Sequence, residues 1–143
     1  MKNGYPEKHE LNLIKNWNVK DSFGLINYIH ERWNWKNLVT SKWEKQGFDK
    51  RPVFVVKFIT GGWSGNEDLI DALLENDIFE TMWYDQWQRG GKFTFVINPT
   101  QIGYKKASEL AIELGITRQW IHRDNKFESI QISKGSKLFR LKA

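Results

Sequence analysis

Residues 107–121 have the sequence ASELAIELGITRQWI, which predicts two helices joined by a glycine turn. Ala111 is the small residue needed where the two helices touch, and Gly115 tolerates the left-handed dihedral angles of a tight turn. Ile121 returns the second helix to a core, and the Thr117 hydroxyl is expected to cap that helix. This stretch predicts a helix-turn-helix and decides the fold of the C-terminal part of the chain.

A basic β-hairpin is predicted directly after the two helices. Residues 130–132 and 138–141 alternate between apolar and polar side chains, as strands do. The connecting turn, residues 133–137, carries Lys134 and Lys137. In a winged arrangement, such a turn would lie against the phosphate backbone of DNA or in its minor groove.

The positive charge of the chain is concentrated in this C-terminal part. Residues 104–143 contain nine Lys and Arg against four Asp and Glu, whereas residues 1–103 contain thirteen of each. The net charge of +5 therefore belongs to the segment with the predicted helix-turn-helix. Localised basicity of this kind is typical of phosphate binding, although a lysine-rich tail that serves only solubility has the same composition.

The outward face of the second predicted helix carries side chains suited to reading DNA. Arg pairs with guanine edges and Gln with adenine edges in a major groove. On the patterns ELA at residues 109–111 and LGI at 114–116, and on the basic hairpin, the segment from Gly103 to Lys142 resembles the winged helix-turn-helix domains of phage excisionases and of the MerR-like group. The resemblance implies contacts to double-stranded DNA from Thr117, Arg118, Gln119, His122, Arg123, Lys134, Lys137 and Arg140.

The second predicted helix departs from the pattern of these domains, and the segment also has an alternative interpretation. Asp124 and Asn125 stand where an apolar residue would extend the second helix, so this helix is expected to have only about two turns and to depend more on the hairpin. In the alternative, residues 104–116 are an amphipathic core helix and the hairpin completes a sheet formed by the N-terminal residues.

The rest of the chain predicts an α+β fold in which a small N-terminal sheet is covered by helices and followed by the winged helix-turn-helix. The proline turn at residues 98–103 separates two domains, 1–98 and 99–143. The first twenty residues are polar and are expected to be loosely ordered. Ser64 and Glu67 have the spacing of a capping box. Helices are predicted at residues 21–33, 64–74 and 78–87, strands at 53–59 and 92–97, and a strand beginning near 38–40.

The N-terminal domain is rich in aromatic residues. Its sequence from Gly61 through Gly91 into the strand at 92–97, with GGWSGNED and RGGKFTFVI, resembles a module of small phage and prophage proteins of unassigned function. One interpretation is a surface that stacks on a base or binds a protein partner. In the other, the tryptophans are core residues. The surface would consist of Trp63, Trp83, Trp87 and Arg89.

The sequence does not predict an enzyme, a metal or a cofactor. There is no cysteine, and His9, His30 and His122 share no metal-ligand spacing. The glycine-rich residues 61–65 lack the lysine of a phosphate-binding P-loop. The carboxylates at 67, 68, 71 and 75 lie on the polar face of a helix, where solvation explains them.

These features together predict a cytoplasmic phage- or prophage-type DNA-binding protein, either a transcriptional regulator or a recombination accessory factor. Since one small reader makes few base contacts, a homodimer or a second partner is expected. The alternative is a protein-interaction factor, such as an inhibitor of a bacterial defence system, that binds a host protein through the aromatic N-terminal domain. A third interpretation is single-stranded nucleic-acid binding by the aromatic surface. No membrane association is expected, because the apolar runs are too short.

Overall fold

The structure, a computed structural model, describes residues 1–142 and belongs to the mixed α+β class, as predicted. No helix in these residues is long and apolar enough to cross a membrane. The helices are α1 (Lys8–Lys15), α2 (Ser22–Arg32), α3 (Ser64–Leu74), α4 (Asp77–Trp83), α5 (Ala107–Leu114) and α6 (Arg118–Arg123). The strands are β1 (Val39–Gln46), β2 (Arg51–Ile59), β3 (Tyr84–Gln88), β4 (Lys92–Ile97), β5 (Phe127–Ser133) and β6 (Ser136–Leu141).

The chain forms two compact units. Unit 1 contains residues 1–44 and 53–97, and unit 2 contains residues 45–52 together with the chain from Asn98 onward. The predicted division into domains 1–98 and 99–143 stays a prediction, since compactness does not establish that either part folds independently.

Unit 1 is built on a four-stranded sheet with the strand order β1-β2-β4-β3. Strands β2 and β4 are antiparallel, and β3 pairs with β4 at the edge of the sheet. The ring of Phe79 on α4 lies 5.5 Å from that of Phe95 on β4, and Trp33, just after α2, lies 5.0 Å from Phe58 on β2. These buried aromatic contacts hold the helices on the small antiparallel sheet, and the strands predicted at 53–59 and 92–97 are confirmed.

The N-terminal residues are ordered, so the prediction of a loose segment is wrong. Helix α1 is anchored by Glu10, whose side chain is only 3% exposed. Its carboxylate accepts hydrogen bonds from the Glu7 backbone N–H at 2.9 Å and from Arg32 Nε at 2.6 Å. The polar composition was misleading because α1 needs only one buried apolar residue, Ile14, beside the buried, ion-paired carboxylate of Glu10.

One helix cap and one helix end in unit 1 also differ from the prediction. Helix α3 begins at Ser64 itself with Trp63 as its N-cap, so Ser64 makes no side-chain cap and the predicted capping box is wrong. Helix α4 is capped by Asn76, whose side chain accepts a hydrogen bond from Phe79 N at 3.2 Å, and it ends at Trp83. The helix predicted at 78–87 is too long because residues 84–88 instead pair with β4.

Unit 2 contains the two short helices, the glycine turn and the hairpin that the sequence predicts. Helix α6 has six residues, which confirms the prediction of a short second helix. Strands β5 and β6 are antiparallel and form a separate two-stranded sheet, so the alternative in which the hairpin completes the sheet of unit 1 is wrong. The helices and hairpin share a small core formed by Leu110, Ala111, Ile121 and Phe139.

Candidate nucleic-acid interface

Helix α6 is held in place by one buried side chain and two backbone features. Ile121 is 1% exposed and packs in the core with Ala111 of α5. Gly115 ends α5 with φ +67°, the left-handed conformation that favours glycine, and Ile116 N then donates to Ala111 O at 3.0 Å. The Thr117 hydroxyl accepts a hydrogen bond from Trp120 N at 3.2 Å, as predicted. The orientation of α6 against α5 is thus set by local dihedral angles and by packing.

Three of the predicted DNA-binding residues line one groove. Arg118, Gln119 and His122 are exposed and border a depression of about 330 Å³ whose other wall is Ala107 and Ser108 at the start of α5. Arg123 is exposed at the last position of α6 and is not among the lining residues of this groove. With Ile121 inward, one helix face therefore presents guanidinium, amide and imidazole groups together.

The groove continues to the turn of the hairpin. A second depression, of about 410 Å³, is lined by His122 and Ala107 on one side and by Gly135, Ser136 and Lys137 on the other. The ring of His122 lies edge-on to that of Phe139 with 4.8 Å between their centroids, which ties the helix to the hairpin. The face of α6 and the tip of the β5–β6 hairpin therefore border two adjoining depressions that share Ala107 and His122.

The predicted hairpin contacts separate into two kinds. Lys134 and Lys137 are exposed at the turn and have no ion pair with any described residue. Arg140 is different because its side chain is only 14% exposed and is already engaged. Its Nε donates to Glu128, its Nη1 donates to the Ile102 carbonyl at 2.8 Å, and its guanidinium lies 4.3 Å from the centre of the Tyr104 ring.

Most of the basic residues between positions 104 and 142 form no ion pair with the acidic residues of the same segment. Lys105 is bound to Glu113 at 2.6 Å and Arg140 to Glu128, which uses two of the four acidic residues of this segment. The remaining cations have no ion pair within residues 104–142; they are Lys106, Arg118, Arg123, Lys126, Lys134, Lys137 and Lys142.

No family model, curated protein or solved structure matches the chain.

Sequence reasoning missed Trp120 as a candidate for the same surface. It lies on α6 and is 57% exposed, although its indole is the largest apolar group of the helix. A helical projection would have found it, because Trp120 is displaced by about 100° from the inward-facing Ile121. An exposed tryptophan beside exposed basic residues can stack on a base or cover a sugar.

The four residues predicted as an aromatic surface of unit 1 do not share one environment. Trp83 is 2% exposed and its indole N–H donates to the Ser22 hydroxyl at 3.0 Å, so it is a core residue. Trp63 is half-buried against Tyr5, with 4.9 Å between the ring centroids. Trp87, which is 58% exposed, and Arg89 lie on the surface. A contiguous surface made of all four residues is therefore wrong, because Trp83 lies in the core.

One cluster of unit 1 has the composition of a metal site. Ligand atoms of Glu7, His9 and Glu10 lie within 4.8 Å of one another. The Glu10 carboxylate is already used by Arg32 and by the Met1 amine, which lies 3.0 Å away. A metal ion would have to displace these cations, so the arrangement favours a structural ion-pair network over a metal site.

Proposed function

We propose that unit 2 is a winged helix-turn-helix that binds double-stranded DNA, with α6 in the major groove and the β5–β6 hairpin as the wing. The observation that carries this proposal is the pair of adjoining depressions, one lined by Arg118, Gln119 and His122 on α6 and the other by His122 and by Lys137 at the hairpin turn. A recognition helix and a wing that act on one duplex must lie on adjoining surfaces of this kind.

The side chains on α6 suit direct readout. The Arg118 guanidinium can donate two hydrogen bonds to a guanine edge, and the Gln119 amide can pair with an adenine edge. A helix of six residues enters the groove over less than two turns, so it reaches few base pairs. Specific binding therefore depends on the wing and on a second reader, which favours a dimer on a two-fold symmetric site.

The wing contributes charge more than sequence readout. Lys134 and Lys137 present flexible ammonium groups that suit phosphates, whereas Arg140 fastens the hairpin to the Ile102 carbonyl and to Glu128. We therefore assign Arg140 to positioning the wing and not to contacting DNA. Each phosphate neutralised adds about 0.9 to the slope of log affinity against log salt.

The biological role that fits this interface is regulation of transcription or an accessory role in site-specific recombination. Both need a small protein that recognises duplex DNA without modifying it. The resemblance of residues 103–142 to excisionase and MerR-like domains supports the same role.

A salt-titrated binding assay tests the proposal. The probe is a fluorescent 30-bp duplex of random sequence, and affinity is measured between 50 and 300 mM salt. We expect Arg118→Ala with Arg123→Ala to weaken binding at least tenfold at the lowest salt and to lower the salt slope by about 0.9 for each of these two cations that contacts a phosphate. The matched control is Lys8→Ala with Arg89→Ala, which removes the same charge from exposed positions of unit 1.

Two results would contradict DNA binding by unit 2. One is an affinity that the Arg118 and Arg123 substitutions leave unchanged. The other is an equal loss in the Lys8 and Arg89 control, because that result would mean that net charge alone, and not the face of α6, attracts the duplex.

A further inference from the structure

Unit 1 has a groove of about 260 Å³ between α3 and the β3–β4 edge. Its charged side chains are acidic, whereas those of the surface described for unit 2 are basic. One wall consists of Trp87 and Phe93, which are direct partners across the β3–β4 ladder. The other wall is α3, with Ile70 at its base and Glu67 and Asp71 beside it. The groove is therefore lined by two aromatic side chains and by two carboxylates.

The floor of the groove depends on a close backbone approach. Thr60 N donates to Gly91 O at 3.0 Å, and a Cβ atom at Gly91 would lie 2.3 Å from the Thr60 hydroxyl oxygen. Gly91 also has φ +74°, which disfavours any other residue. This close approach holds the β3–β4 turn against Thr60, which directly follows β2.

Trp87, in the aromatic wall, is exposed, whereas other apolar side chains on the same side of unit 1 are buried. Trp87 is 58% exposed, although Phe95 and Ile70 on the same side of unit 1 are essentially fully buried. An indole at the rim of a groove offers a free face that a flat cation can cover.

The acidic wall lacks a cation of its own. Glu67, Asp68 and Asp71 form no ion pair with any residue between 1 and 142, whereas Glu75, one turn further along, is bound by Lys15 at 2.9 Å. Burial raises the pKa of Asp71 above its ordinary value, and the carboxylates of Asp68 and Glu75 raise it further. A cation beside Asp71 would offset this repulsion.

We infer that this groove binds an arginine side chain of a partner protein, stacked on Trp87 and paired with Glu67 and Asp71. Guanidinium fits better than ammonium, because it is planar, stacks on an indole face and forms two parallel hydrogen bonds to a carboxylate. Phosphate-bearing partners, such as nucleic acids and anionic membranes, are repelled by the same carboxylates. The inference does not depend on DNA binding, since every residue involved belongs to unit 1.

The test is an NMR titration of the full chain with short peptides. Acetylated tetra-arginine is added to ¹⁵N-labelled protein, and the backbone amides and the tryptophan indole N–H signals are followed. Trp87→Phe assigns the indole signal of Trp87. We expect saturable shifts for that signal and for the amides of Glu67, Asp71 and Gly91, with a Kd on the order of 1 mM.

Substitutions in the groove should weaken binding. We expect Asp71→Asn and Trp87→Ala each to raise the Kd for tetra-arginine at least fivefold. The matched controls are Asp77→Asn, an exposed carboxylate at the start of α4, and Trp120→Ala, a tryptophan as exposed as Trp87 but in unit 2. Both controls should change the Kd less than twofold, and circular dichroism checks that every variant is folded.

The choice of ligand separates an arginine site from a general cation site. Tetra-lysine and the free polyamine spermidine should bind at least threefold more weakly than tetra-arginine. Equal binding of spermidine would overturn the assignment to a protein arginine. An effect of Asp77→Asn on the Kd as large as that of Asp71→Asn would also overturn the assignment. A protein that binds no peptide but loses self-association on Asp71→Asn would overturn it as well, because a second copy of this chain would then occupy the groove.

Discussion

Replacing Glu10 by glutamine should destabilise unit 1 in a way that depends on pH. The carboxylate is almost completely buried, and burial by itself would raise its pKa. Hydrogen bonds from the Glu7 backbone and from Arg32, together with the Met1 amine, overcome burial and lower the pKa from 4.5 to about 2. At about 1.4 kcal/mol per pH unit, the ionised form contributes about 3 kcal/mol to the free energy of unfolding at pH 7.

The direction of the pH dependence follows from the lowered pKa. The contribution is complete above the unfolded-state pKa of 4.5 and is lost as the pH falls toward 2. At pH 3 about 1.4 kcal/mol should remain. Urea unfolding followed by tryptophan fluorescence measures the stability of unit 1, because seven of the eight tryptophans lie in unit 1 and only Trp120 lies in unit 2.

The matched control for this prediction is Glu31→Gln. Its carboxylate lies 3.8 Å from Arg32 Nη1 but its side chain is 75% exposed, so its removal should cost less than about 0.5 kcal/mol. The reasoning is wrong if Glu10→Gln costs no more than Glu31→Gln at pH 7. It is also wrong if the difference between Glu10→Gln and the unsubstituted protein is the same at pH 7 and at pH 3.

Three further predictions concern the helix turn, the core and the acidic wall. Gly115→Ala should destabilise unit 2 by about 1 kcal/mol, because a φ of +67° strains any other residue even though a Cβ atom here would meet no neighbour. Hydrogen exchange of the unit 2 amides measures this loss of stability, and unchanged protection of these amides would contradict the prediction. Trp83→Phe should cost about 0.5–1.5 kcal/mol in urea unfolding, because it removes the hydrogen bond that the indole N–H donates to the buried Ser22 hydroxyl, which keeps its own bond to the Val19 carbonyl. A cost below that of Trp87→Phe would argue against a core role. Asp71→Asn should raise the free energy of unfolding by up to about 0.5 kcal/mol at pH 7, because the raised pKa of Asp71 means that the ionised carboxylate is disfavoured in the native state. This gain should vanish below pH 4, where the carboxyl is protonated in both states. A loss of stability at pH 7 would refute the predicted direction.

Local signals in the sequence account for most elements that it predicts correctly. The left-handed turn at Gly115, the cap at Thr117 and the alternation of the hairpin strands each involve residues that are close in the chain. Their dihedral angles and hydrogen bonds are satisfied within a few residues, so sequence patterns detect them. For the same reason, the inward position of Ile121 and the outward face of α6 could be predicted without a structure.

Contacts between distant residues account for what was wrong or missed. Trp83 and Trp87 have helical spacing, yet the chain changes to a strand between them because residues 84–88 pair with β4. Glu10 is buried because Arg32, twenty-two residues away, neutralises it. Both outcomes depend on a partner whose position no local pattern specifies.

By itself, the sequence determined the helix-turn-helix pattern, the basic hairpin and the location of the excess positive charge. Only the tertiary structure decided that Arg140 holds the hairpin while Lys134 and Lys137 remain available, and that Trp87, Glu67 and Asp71 line one groove. The physical reason is that backbone preferences and charge are properties of the chain itself, whereas burial and pairing arise only when separate elements pack together.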